Sequence, residues 1–70
     1  MNYLVIYEKA EDGTIWGRVP DLEGCYTSGH TLDEAKVNIN EAIHLHLDIM
    51  NEDGIMLPEP KYLEAELVSI

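Results

Sequence analysis

Three acidic residues, Asp12, Asp21 and Glu23, lie near the ends of segments with strand-forming composition. Carboxylates in such positions can hold divalent metal ions for phosphodiester cleavage, so a metal-dependent nuclease is one hypothesis. However, all three fall in hairpin or turn positions, where Asp and Glu usually accept hydrogen bonds from backbone N–H groups or face water. We therefore interpret them as structural or surface residues and predict that the protein is not an enzyme.

The cysteine and the histidines are the other candidates for site chemistry. Cys25 with His30, or His44 with His46, suggests zinc, but two residues two positions apart on a helix point in different directions. We predict no metal and no cofactor, and we interpret Cys25 as a small buried apolar residue. A single cysteine also excludes an internal disulfide.

The elements that must position these residues begin with three predicted strands. Residues 2–7 and 14–19 are rich in aromatic and branched side chains, and the turn residues between them indicate a β-hairpin. Pro20 ends the second strand and a polar turn follows. Residues 25–28 then form a short third strand, which we predict to be antiparallel to the second.

One helix and a final strand complete the predicted fold. Thr31 precedes Glu34 by three residues, the spacing of a capping box, so a helix starts at Leu32 and runs to about Asn51. One apolar stripe follows from spacings of three and four residues: Leu32, Ala35, Ile39, Ala42, Ile43, His46, Leu47 and Met50. Residues 62–70 alternate like a strand. The predicted fold class is α+β, a two-layer β-β-β-α-β domain over residues 1–70, with a mostly antiparallel sheet and the helix packed on one face.

The first predicted strand is apolar on both sides. Leu4 and Ile6 point one way, whereas Tyr3, Val5 and Tyr7 point the other, and one helix can cover only one face. The core of a 70-residue chain is also thin. We therefore predict a homodimer or higher homo-oligomer formed through a sheet edge or the uncovered sheet face, the alternative being an aromatic face left partly exposed to water.

The charge narrows the choice of partners. The chain has 14 acidic against 4 basic residues, a net charge of -10, and no basic run. Such a surface opposes direct nucleic-acid binding and favours a basic protein partner, although acidity alone also serves solubility. The N-terminus lacks a basic stretch followed by an apolar run, and no segment approaches the ~20 apolar residues of a membrane span, so we expect a cytoplasmic location without membrane contact.

Three segments carry a family resemblance. Residues 19–25 (VPDLEGC), 27–35 (TSGHTLDEA) and 40–43 (NEAI), with the Trp16 strand ahead of them, resemble the signature of HicB antitoxins. The match extends to the proline-containing crossing at residues 57–60. This sequence differs at Glu23, where the family commonly has a second proline, and at His30, where it commonly has an acidic residue.

The resemblance implies a partial ribonuclease-H-like domain that inhibits a basic, mRNA-cleaving HicA-like toxin as the antitoxin of a type II pair. Many HicB proteins add a DNA-binding segment, which does not occur in residues 1–70, so we expect toxin neutralisation and no direct operator binding from this chain. Our candidate partner-binding residues are Trp16, Tyr26, Asp21 and Glu23. The alternative function is a stand-alone HicB-like dimeric binding module without a cognate toxin.

Overall fold

Three short antiparallel strands and one long helix make up the regular structure. The computed structural model describes all 70 residues. The sheet has the strand order β1-β2-β3, so each strand pairs with its neighbour in sequence. The elements are β1 (Ile6–Lys9), β2 (Ile15–Arg18), β3 (Tyr26–Gly29) and α1 (Leu32–Glu52).

The predicted hairpin and third strand are confirmed, with shifted bounds. In the hairpin, Ile6 lies opposite Arg18 and Lys9 lies opposite Ile15. β1 begins at Ile6 rather than at residue 2, because β2 ends at Arg18 and Pro20, which the register would place opposite Leu4, has no N–H to donate. Residues 2–5 therefore have no ladder partner.

The helix packs on one face of the sheet. A Cβ atom built on Gly17 of β2 would lie 3.2 Å from the Tyr7 ring and 3.6 Å from Ile39 of α1. The buried core lies between these two layers, and partly buried Tyr3, Val5 and Tyr7 pack against it from β1 and the residues before it. Its members are Val19, Leu22, Cys25, Ala35 and Ile39. The face of the first strand that carries Tyr3, Val5 and Tyr7 is thus the one that the helix covers.

The start of the helix lies where its capping residues predict. The Glu34 N–H donates to Thr31 Oγ1 at 3.1 Å, which satisfies one of the free donors of the first turn. The Glu34 carboxylate in turn accepts from the His30 N–H at 3.3 Å. The helix ends one residue beyond the predicted position, followed by Gly54 with φ 70°.

The α+β class and the antiparallel sheet with one helix are confirmed, but the final strand is not formed. Residues 62–70 adopt no regular secondary structure, and all of them are exposed. A strand requires hydrogen bonds to a neighbouring strand, and no backbone–backbone hydrogen bond joins this segment to β1 or β3. Alternation in the sequence therefore indicated a strand for which this single chain forms no pairing.

Candidate protein-interaction site

The sheet face opposite the helix is open. Residues paired across antiparallel strands share a face, so the register places one set together: Ile6, Glu8, Trp16, Arg18, Tyr26 and Ser28. We call this set the outer face. No element of the chain packs on it, since α1 occupies the opposite face.

Two aromatic rings form the centre of the outer face. Trp16 of β2 and Tyr26 of β3 lie with their ring centroids 6.3 Å apart and their planes tilted by 47°. Trp16 is 43% exposed and Tyr26 is 64% exposed. Tilted pairs at this separation are favourable, and both side chains combine an apolar body with a polar atom. The pair therefore offers a large, ordered surface that a partner protein can desolvate.

An ion pair lies beside the aromatic rings. Arg18 Nε lies 2.9 Å from Glu8 Oε1, and both side chains are more than half exposed. Exposed pairs of this kind contribute about 0–1 kcal/mol to folding. The pair cancels its own charge and leaves the centre of the outer face nearly neutral on a strongly acidic protein.

The two predicted acidic contact residues lie in the turn between β2 and β3. Leu22, which is 1% exposed, anchors this turn, and its N–H and carbonyl bond to Val19 and Cys25 at 3.0 Å. Asp21 Oδ2 accepts the Lys61 N–H at 3.2 Å, whereas Glu23 is exposed. The turn brings both residues to the end of the sheet next to Arg18, but Asp21 also holds the chain after the helix.

Trp16 and Tyr26 are the partner contacts proposed from the sequence, and the structure places Ile6, Glu8 and Arg18, which were not proposed, on the same face. The signal was present, because Arg18 follows Trp16 by two residues and the side chains of a strand alternate with that period. What the sequence lacked was the register. Only the pairing of Glu8 with Trp16 and of Arg18 with Tyr26 shows which residues of the three strands are neighbours.

Three residues considered for catalysis or metal binding either make local hydrogen bonds or are buried in the core. The Thr14 N–H donates to Asp12 Oδ1 at 2.9 Å, and this hydrogen bond lowers the pKa of the Asp12 carboxyl. Burial raises the pKa of the Cys25 thiol, which favours the less reactive protonated form. His44 Nδ1 lies 2.7 Å from the carbonyl oxygen of Asn40, one helical turn earlier.

The structure contains neither a cluster of metal-binding side chains nor a helix suited to a membrane. No group of three or more His, Cys, Asp or Glu side chains is arranged to hold a metal ion. The helix α1, although 21 residues long, lacks the apolar content needed to span a membrane.

These features define a small α+β domain with an open sheet face that carries two exposed aromatic side chains. Residues 3–69 match the family described as HicB-like antitoxins of bacterial toxin–antitoxin systems, and the chain belongs to this family. The resemblance of residues 19–43 to HicB antitoxins is thereby confirmed.

Two relatives illustrate how far the similarity extends. A UPF0150 protein of Thermoplasma acidophilum is 41% identical over 58 residues, which cover 83% of this chain and 84% of the relative. An uncharacterised 14.9 kDa protein of Haemophilus phage HP1 is 42% identical over 64 residues, or 91% of this chain. The aligned residues make up only 47% of the phage protein, so this chain spans about half of that relative.

Proposed function

We propose that residues 1–70 act as one HicB-like unit that binds a basic, mRNA-cleaving HicA-like toxin and keeps it inactive. The observation that carries the proposal is the exposed Trp16–Tyr26 pair on an outer face that nothing in the chain covers. Family membership supports an antitoxin role in general. The proposed mechanism is steric, since the antitoxin occupies the toxin surface that RNA would use.

The aromatic pair is proposed as the tight centre of the interface. Interface hot spots are enriched in Trp, Tyr and Arg, and they lie in desolvated positions surrounded by residues that exclude water. The outer face has this composition, with Trp16 and Tyr26 at its centre and the Arg18–Glu8 pair beside them. Truncating one desolvated aromatic side chain costs ~2 kcal/mol or more, which is about a 30-fold loss of affinity.

The acidic surface is proposed to speed the encounter. The net charge of -10 attracts a basic toxin over a distance of about one Debye length, roughly 10 Å at 0.1 M salt. Exposed carboxylates supply this field from the turn at Glu23 and from the helix residues Asp33, Glu41 and Asp48. Their removal should change the association rate at low salt far more than the dissociation rate.

Three finer features belong to the same proposal. The antiparallel β1-β2-β3 sheet followed by α1 is compatible with a partial ribonuclease-H-like architecture. Inhibition by occupying a surface needs no catalytic group, so the protein is proposed to be a non-enzymatic inhibitor. An mRNA-cleaving target places its site of action in the cytoplasm.

The first test is genetic. A short neighbouring open reading frame encoding a basic, double-stranded-RNA-binding-like domain with a single catalytic His is the expected toxin. Co-expression of that toxin with the wild-type chain should restore growth, and the two proteins should co-purify. If the chain neither restores growth nor co-purifies with the toxin, the antitoxin proposal is wrong, and a stand-alone binding module becomes the better interpretation.

The second test compares variants of the outer face with a matched control. Trp16→Ala should raise the Kd for the toxin by about 30-fold or more. Leu45→Ala removes an apolar side chain that is more exposed than Trp16 (62% against 43%) from the helix, away from the outer face, and should change the Kd less than about threefold. Equal effects of both substitutions would show that the outer face is not the centre of the interface.

The acidic turn is tested by kinetics. The Asp21→Asn, Glu23→Gln double variant should associate more slowly at low salt, with little change in the dissociation rate. Glu23→Gln alone is the cleaner variant, because Asp21 also accepts the Lys61 N–H. An association rate for Glu23→Gln that equals wild type at every salt concentration would remove Glu23 from the proposed encounter surface.

A further inference from the structure

Residues 62–70, which we call the C-terminal segment, have the composition of a strand but no strand to pair with. Leu63, Ala65 and Leu67 alternate with Glu64 and Glu66, so an extended backbone carries apolar side chains on one side and carboxylates on the other. Leu63 and Leu67 are fully exposed to solvent. The apolar side of the C-terminal segment therefore has no contact that keeps water away from it.

A hollow of about 560 Å³ is lined both by the C-terminal segment and by the free edge of the sheet. We call it the β1 hollow. β1 is the border strand, with β2 on one side only. Residues 5–9 form one wall of the hollow, Leu32 and Lys36 of α1 form another, and residues 65–67 form a rim. Because the lining is mostly apolar and β1 contains no proline, this edge can accept an added strand.

Contacts before the C-terminal segment show the direction in which it runs. The Tyr3 hydroxyl donates to the Pro58 carbonyl, so Pro58 lies beside the start of the first strand region. Residues 65–67 border the β1 hollow together with residues 5–9, which lie further along that region. The C-terminal segment thus runs in the same direction as β1. Closing the β1 hollow would add it to the sheet as a parallel strand.

The alternation of the C-terminal segment then decides which side chains reach the outer face. Tyr7 packs against the core on the helix side, whereas its neighbours Ile6 and Glu8 belong to the outer face. When the leucines of the segment occupy the β1 hollow on the Tyr7 side, Glu64 and Glu66 point to the side of Ile6 and Glu8. Closure therefore adds two carboxylates to the border of the outer face.

These carboxylates would change the charge of the outer face. Of its six residues only Glu8 and Arg18 are charged, and they pair at 2.9 Å, so the face has no net charge although the chain has a net charge of -10. Glu64 and Glu66 would place two negative charges beside it. An apolar centre with an acidic border matches a basic partner, because complementary charges at the rim fix its orientation.

The balance between the open and closed segment depends on that partner. Closure orders several backbone residues, which costs conformational entropy, and it brings Glu64 and Glu66 toward Glu8. Arg18, the basic residue of the outer face, already pairs with Glu8. In the free chain only the burial of the leucines opposes these costs. A basic partner adds an attraction for the carboxylates, so binding and closure favour each other.

We propose that the C-terminal segment closes onto the free edge of β1 when the toxin binds, and that Glu64 and Glu66 then contact basic side chains of the toxin. This role rests on the proposed function and adds to it a part of the interface that is assembled only in the complex. Trp16 and Tyr26 supply the apolar centre from β2 and β3, and the closed segment supplies an acidic border beyond β1.

Binding kinetics separate direct contact from the general field of the chain. The probe is the toxin of the neighbouring reading frame with its catalytic His replaced. The Glu64→Gln, Glu66→Gln double variant should raise the Kd about tenfold and the dissociation rate at least about threefold, because both carboxylates contact the toxin. The matched Glu41→Gln, Asp48→Asn variant removes two charges from the exposed side of α1 and should slow association at low salt without changing the dissociation rate.

Hydrogen exchange followed by NMR tests the closure itself. Backbone amides of residues 63–67 should exchange without protection in the free chain, and those that face β1 should slow by more than about 100-fold in the toxin complex. The Leu63→Ser, Leu67→Ser double variant should abolish this protection and raise the Kd about tenfold. Both leucines are fully exposed in the free chain, so its core is undisturbed. Leu45→Ser, on the exposed side of α1, should have neither effect.

The outcomes distinguish this role from the proposed function. A wild-type chain that does not bind the toxin would overturn the proposed function, and the role of the C-terminal segment with it. A tight wild-type complex in which residues 63–67 stay unprotected would overturn the role of the segment alone. So would a Glu64→Gln, Glu66→Gln variant that dissociates from the toxin at the wild-type rate.

Discussion

Gly29, the last residue of β3, is the position where the helix approaches the sheet most closely. A Cβ atom at Gly29 would lie 2.6 Å from the backbone nitrogen of Ala35 and 3.0 Å from the carbonyl carbon of Glu34. Both atoms belong to the first turn of α1. Because they are backbone atoms in a hydrogen-bonded helix, no side-chain rotation can relieve the contact. Gly29→Ala must therefore move the start of the helix away from the sheet.

The magnitude follows from two opposing contributions. Overpacking of a well-packed contact costs typically about 1–3 kcal/mol, and a backbone clash belongs to the upper part of this range. Replacing Gly by Ala also reduces the entropy of the unfolded chain, which offsets about 0.4–1 kcal/mol. The net loss in unfolding free energy is about 2 kcal/mol. A 70-residue protein has roughly 4 to 10 kcal/mol in total, so the loss is large.

The assay is thermal and urea unfolding followed by the far-ultraviolet circular dichroism of the helix, at one fixed protein concentration. A loss of about 2 kcal/mol should lower the Tm by roughly 8–16 °C. Gly17→Ala is the matched control, since its Cβ would meet the Tyr7 ring at 3.2 Å and the ring can shift. We expect a smaller decrease there. A neutral or stabilising Gly29→Ala, or a larger loss at Gly17→Ala, would refute this account of the helix–sheet contact.

Three further predictions concern the helix cap, the hairpin turn and the cysteine. Thr31→Ala removes the acceptor of the Glu34 N–H and should lower the unfolding free energy by about 1 kcal/mol in urea titrations; an unchanged value would contradict the capping role. The hydrogen bond from the Thr14 N–H lowers the pKa of the Asp12 carboxyl in the folded state. The hydrogen bond therefore stabilises the folded protein at pH values above the pKa that Asp12 has in the unfolded chain, and this stabilisation disappears as the pH falls through the folded-state pKa. Wild type should therefore be more stable than Asp12→Asn at neutral pH, with the difference vanishing in acid, and a difference that is independent of pH would count against this. Burial raises the pKa of the Cys25 thiol, so a thiol reagent should modify the native protein much more slowly than the urea-unfolded protein, and equal rates would show that the thiol is accessible.

Much of this fold could be predicted from the sequence, because the helix start and the hairpin turn depend on interactions between residues close together in the chain. The Thr31–Glu34 spacing marked the start of α1 to the residue, because a capping hydrogen bond spans only three positions. The hairpin was predicted from turn residues between two strand-like runs, and the chain does turn there with Gly13 at φ 90°. The family was recognisable for the same reason, since its signature lies in contiguous turns and caps.

The tertiary structure decided what depends on contacts between distant residues. Trp16 and Tyr26 form one surface because of the register between β2 and β3, which neither strand specifies alone. Asp21 was predicted as a partner contact, but its hydrogen bond to the Lys61 N–H joins residues 40 positions apart, and no local pattern indicates it. The final strand shows the limit most clearly. Alternation prescribes which side chains of residues 62–70 share a face, but a strand forms only where another backbone supplies hydrogen bonds, and this chain by itself does not place one there.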